Sequence, residues 1–89
     1  MSVVEMHRII LYPLITEEAV GLIERENKLV FIVNKKVSRS DVKNAVEQLY
    51  EVKVRKVNTL ITAQGQKKAF VTLTPEHSAS DLAIKLGIL

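Results

Sequence analysis

The stretch Leu29-Val30-Phe31-Ile32-Val33 sets five β-branched, aliphatic or aromatic residues in a row with no polar alternation. A strand of that composition has both sides at least partly covered, so it belongs in the middle of a sheet. Just downstream, Ser38 and Asp41 have the spacing of a capping box, and Val42, Ala45, Val46, Leu49 and Tyr50 recur at helical intervals. This pattern predicts a surface helix lying on the sheet, with Lys43, Asn44, Glu47, Gln48 and Glu51 on its solvent side. Two strands are expected over residues 53–63 and 67–74, joined by Gln64-Gly65-Gln66, where Gly65 supplies positive φ for a tight antiparallel hairpin. Ser78 and Asp81 then cap a last short helix through Leu82, Ala83 and Leu86, ended by Gly87.

Upstream of the interior strand, Pro13 closes the apolar run Ile9 to Tyr12. A residue before proline is driven to extended geometry, so residues 6–12 are expected to form the first strand. Thr16 stands at an N-cap with Glu17 and Glu18 in the following turn, which predicts a helix over 16–25 with Asn27 as its stop. The resulting order, β-α-β-α-β-β-α, describes an α+β domain: a small mixed or mainly antiparallel four-stranded sheet with helices packed on it.

At 89 residues and 47% apolar composition the chain is read as a single domain, 1–89, held by an ordinary core. The absence of cysteine excludes a disulfide framework and a cysteine-type zinc site. The longest unbroken apolar run has five residues, far short of a membrane span. The start carries an acid and no basic region, unlike a signal peptide, and the expected location is the cytosol. His7 and His77 lack the partners a metal site needs, Ser78 is better used as a cap than as a nucleophile, and the three glycines form no phosphate-cradling loop. Neither an enzyme, a cofactor nor a small-molecule substrate is expected.

The formal charge of +3 is modest, but it is unevenly placed: residues 1–33 sum to −2, residues 34–68 to +6 and the remainder to −1. A basic middle between mildly acidic ends suits a phosphate backbone on one face. Lys35, Lys36 and Arg39 fall in the turn after the interior strand, Lys53, Arg55 and Lys56 open the first hairpin strand, and Lys67 and Lys68 open the second. Pairing about Gly65 sets the last two groups at opposite ends of the hairpin, and the first group approaches Lys53 to Lys56 only if the chain curls back. Three basic spots spread over a small molecule fit a folded RNA better than a straight groove. Nine lysines against four arginines favour phosphate contact as point charges over bidentate base reading. Tyr12, Phe31, Tyr50 and Phe70 are each expected to pack in or beside the core, which disfavours a single-strand RNA reader built on stacked rings.

Pro13 to Ala19 (PLITEEA), Asn27 to Val33 (NKLVFIV), Val54 to Leu60 (VRKVNTL) and Lys67 to Leu73 (KKAFVTL) occur in that order and together resemble large-subunit ribosomal protein twenty-three in its archaeal form. The likeness runs from about residue 7 to the end of the chain. It implies a structural protein bound to large-subunit rRNA beside the mouth of the polypeptide exit tunnel. Its neighbours would be other ribosomal proteins and factors that meet the nascent chain, including the signal recognition particle. On this resemblance Lys67 and Lys68, with the hairpin around Gly65, are rRNA contacts, joined by Arg55 and Lys56. Glu17 and Glu18 match the segment that presents a carboxylate to the ribosome-bound chaperone of bacteria, and here would meet another partner. Glu18 stands where the family usually has lysine. The turn Gln64 to Gln66 is also minimal, whereas bacterial relatives carry a long loop that reaches into the tunnel. The competing reading is a ferredoxin-like protein-interaction or regulatory module not bound to ribosomes, whose lysines only solubilise it.

Overall fold

The chain begins with a helix, not with the strand expected over residues 6–12. The computed structural model describes residues 2–89. In it the Ser2 hydroxyl accepts from the Glu5 N–H at 3.2 Å and starts α1 (Val3–Ile9), so β1 is confined to Ile10–Pro13. Ser2 and Glu5 are a cap signal that outweighs the extended bias spreading back from Pro13, and this bias governs the strand alone. Met6 and Ile10, on either side of the helix-to-strand switch, both enter the core.

The remaining elements are α2 (Glu17–Glu26), β2 (Lys28–Val33), α3 (Arg39–Tyr50), β3 (Val54–Ile61), β4 (Lys67–Leu73) and α4 (Ala79–Lys85). Thr16, Ser38 and Ser78 each accept from the backbone N–H three residues on, and Asp41 completes a reciprocal box at Ser38. The four strands form one sheet in the order β1-β2-β4-β3, and all three pairings are antiparallel. It follows that β2 and β3 run parallel with β4 inserted between them, and α3 makes the crossover. The α+β class stands, with an additional helix ahead of the expected order.

Strand alternation divides the sheet. Leu29, Phe31 and Val33 of β2, with Ala69, Val71 and Leu73 of β4, face Val42, Ala45 and Val46 of α3 and Leu82 and Ala83 of α4 in one core. Phe31 is fully buried and stacks on Tyr50, with ring centroids 6.0 Å apart and planes 10° from parallel. Tyr12 and Phe70 depart from their expected place. They lie at register positions opposite Ile32 and Val30, on the side of the sheet away from this core, and Tyr12 is 46% exposed. Ala69 and Val71, the sequence neighbours of Phe70, take the inward positions, and a two-residue period sends Phe70 outward.

Asn27 does more than stop α2. It adopts φ 54° and ψ 41°, its Nδ2 donates to the carbonyls of Leu73, Thr74 and His77 at 3.3, 3.3 and 2.9 Å, and its Oδ1 accepts from the Ala79 N–H at 2.7 Å. One side chain thus joins the end of α2, the end of β4 and the start of α4. Asn27→Gly, which keeps the left-handed backbone but deletes the amide, should cost about 2–3 kcal/mol. Asn27→Ala should cost about 1 kcal/mol more through backbone strain. Urea midpoints check both, and a glycine variant as stable as the parent would strip the latch of its role.

Burial raises the pKa of the Tyr50 hydroxyl above its ordinary value of 10.0. The unfolded chain therefore releases this proton first, and the tyrosine's contribution to stability, present below pH 10, is lost as pH rises toward the folded pKa. Unfolding measured at about pH 9 and about pH 11 should show a smaller alkaline loss in Tyr50→Phe than in the parent. Equal losses would assign the alkaline limb to other groups.

Candidate nucleic-acid interface

The hairpin turn positions the first group of cations. Gly65, at φ 82°, donates its N–H to the Thr62 carbonyl at 2.9 Å, and the Thr62 N–H closes the turn on the Gln66 carbonyl at 2.8 Å. Pairing of Ile61 with Lys67 and of Lys56 with Thr72 sets Lys67 and Lys68 beside the turn and Arg55 and Lys56 at the far end, as the symmetric hairpin requires. Adjacent residues of a strand point to opposite faces, however, and this separates Lys67 from Lys68. Lys67 Nζ donates to the Val37 carbonyl at 2.6 Å and so ties the hairpin to the turn between β2 and α3. In that turn Lys35 reaches toward Gly65, where a Cβ would lie 3.3 Å from its Nζ. The Lys36 N–H bonds the Asn34 side chain at 3.0 Å. Lys35, Lys36 and Lys67 therefore form one cluster at one end of the sheet, although about thirty residues separate the turn from Lys67.

A second cluster forms because α3 does curl back beside β3. Arg39 and Lys43, one helical turn apart, line a shallow depression of about 180 Å³ together with Arg55 and Lys56. Lys43 was not among the expected site residues, although its i+4 spacing from Arg39 places the two on one helix face. Lys53 is exposed and lies outside that depression. Lys68 is partly buried and shares a small pocket of about 50 Å³ with Glu18, Leu22, Val30 and Phe70, so it sits beside the acidic start of α2 and away from Lys67.

The electrostatics of this segment follow from where its acids are spent. Asp41 accepts from the Ser38 N–H at 3.1 Å and Glu47 from the Val54 N–H at 2.9 Å. Both carboxylates serve backbone donors. Among the described residues the one ion pair joins Lys28 and Glu26 at 3.1 Å, and none of the nine basic residues of segment 34–68 takes part in it. Their charges are available to an outside anion. At the start of α2, Glu17 and Glu18 are exposed beside Ile15, which is 62% exposed.

A sequence model described as ribosomal protein L23 matches residues 8–80. The chain belongs to that family. Membership makes it a structural component of the large ribosomal subunit, cytoplasmic and ribosome-bound, and not an enzyme. Among its relatives, the large ribosomal subunit protein uL23 of Methanococcus aeolicus is 50% identical over 80 residues, covering 90% of this chain and 93% of the relative. The protein of the same name from Methanothermobacter thermautotrophicus is 45% identical over 82 residues, covering 92% and 95%. The archaeal resemblance read from the four motifs is thereby established.

The two clusters differ in what their cations do for the fold. Lys67→Met should lose about 1 kcal/mol with its bond to Val37. Lys43→Met, which breaks no such bond, should stay within about 0.5 kcal/mol of the parent. Urea unfolding of the two variants separates them, and equal stability would show that the Lys67 ammonium is as free as that of Lys43.

Proposed function

We propose that the whole chain acts as one rRNA-binding domain whose basic clusters neutralise phosphates of large-subunit rRNA near the polypeptide exit tunnel. The contacts are Lys35, Lys36 and Lys67 around Gly65 at one end of the sheet and Arg39, Arg55 and Lys56, with Lys43, beside α3. Lys53 and Lys68 contribute from outside these groups. The observation that carries this reading is the set of cations without an ion-pair partner, gathered in two places while Asp41 and Glu47 bond to backbone N–H groups. A solubilising surface has no need to gather like charges, which repel one another in the free protein.

Glu17 and Glu18, exposed beside Ile15, form the docking surface offered to nascent-chain factors such as the signal recognition particle. A carboxylate pair next to an exposed aliphatic side chain suits a partner with a basic and apolar surface. Neighbouring ribosomal proteins complete the surroundings.

Counterion release supplies the test. With about five of these cations in direct contact with a phosphate at once, the affinity for a large-subunit rRNA fragment should fall with salt along a log–log slope of roughly −3.5 to −4.5. Lys43→Gln should reduce the steepness by about 0.7 to 0.9. A slope near zero, measured by filter binding over a salt series, removes the electrostatic basis of the proposal and favours a module that does not bind RNA.

A further inference from the structure

At the hairpin end of the sheet, Leu11, Tyr12 and Ile32 floor an open pocket of about 350 Å³ whose rim carries Lys35, Lys36 and Lys67. Among the described residues that line it there is no carboxylate. We infer that this pocket receives one unpaired nucleotide of the rRNA, its base laid on Tyr12 and the aliphatic floor and its flanking phosphates held by the lysines. This rests on the rRNA-binding reading above and adds a place where a base, not only backbone, is bound.

Three features argue for that occupant. The volume falls within the range of pockets that enclose small organic groups, roughly 300–1,000 Å³. The Tyr12 hydroxyl accepts a hydrogen bond from Gln66 Nε2 at 2.8 Å, which ties this half-exposed ring to the hairpin turn before any ligand arrives, so stacking costs little further ordering. Apolar floor and cationic rim also match the two halves of a nucleotide, a flat base with an apolar face and an anionic linkage on either side. A paired base offers no free face to such a floor, and extrusion from a loop or bulge exposes one. An apolar protein side chain would fill the floor while leaving three ammonium groups without an anion.

The experiment uses the full chain and in vitro transcribed large-subunit rRNA, with affinity measured over a salt series. Tyr12→Ala should weaken binding by about 5- to 150-fold, the range found for loss of a stacked base, with an unchanged salt slope because a base releases no counterion. Tyr12→Phe, which keeps the ring but loses the bond to Gln66, should weaken binding less than Tyr12→Ala and leave the salt slope unchanged. Lys35→Gln with Lys36→Gln should instead flatten the slope by about 1.4 to 1.8. Leu11→Asp, at an exposed position, places a carboxylate on the pocket floor and should weaken binding without relying on Tyr12 for folding. If Tyr12→Ala, or Leu11→Asp where the former does not fold, binds like the parent on its steep slope, the pocket does not hold a base and the phosphate reading survives. If the parent itself shows no steep slope, both fall. A free protein that sediments as a dimer dissolved by Leu11→Asp would give the pocket to a second copy and overturn the inference.

Discussion

The antiparallel register of β2 with β4, with Val33 opposite Lys67 and Phe31 opposite Ala69, is the constraint on which the rest of the molecule depends. It buries β2 on both faces and inserts β4 between two parallel strands. The hairpin turn then lies at the same end of the sheet as the turn that leaves β2 for α3. A slip of β4 by one residue would send Ala69, Val71 and Leu73 to the outer face and move Lys67 away from Val37. Core and basic cluster are thus set by one pairing. The sheet cannot lose the cluster without exposing its largest buried side chains.

Charge placement reverses the usual economy of a small protein. Segment 34–68 holds three carboxylates and nine cations, and two of the carboxylates bond to backbone N–H groups at the start of α3 and β3. Pairing those acids with lysines would add little stability at an exposed surface, whereas capping stabilises a helix by about 1 kcal/mol. The arrangement therefore favours the fold and leaves the cations free. A phosphate arriving at Arg39 and Lys43 finds charges that displace no internal partner.

Much of this was legible in the chain because it is local. The Ser38 and Asp41 spacing, the unbroken β2 run and Gly65 each prescribe a backbone conformation within a few residues, and each appears as read. Period alone could also have separated Lys67 from Lys68 and joined Lys43 to Arg39, since alternation in a strand and i+4 spacing in a helix are fixed geometry. Ser2 and Glu5 announce α1 in the same way, and the extended bias of Pro13 reaches back only as far as Ile10. What could not be read is long-range: the reach of Asn27 to Leu73, Thr74, His77 and Ala79, the Lys67 bond to Val37, and the approach of Gln66 to Tyr12. These depend on which ends of which elements the sheet order brings together, and residue types carry no record of that.

Edge protection is the competing explanation for cations on a sheet, because a charged edge discourages pairing with another chain. It accounts for Arg55 and Lys56 on β3, which is an edge strand. The other edge, β1, is four residues long, ends in Pro13 and has a register irregularity between Ile10 and Tyr12, and these features blunt it without any lysine. Arg39 and Lys43 lie on a helix, and Lys35 and Lys36 in a turn, where no strand edge needs guarding. Edge protection therefore explains two cations of these clusters and leaves the other five. Those five meet the first two, or one another, at pockets where an anionic chain can touch several at once. The proposed neutralisation of rRNA phosphates accounts for all seven, and it draws on a concentration of like charge that a solubilising surface would disperse.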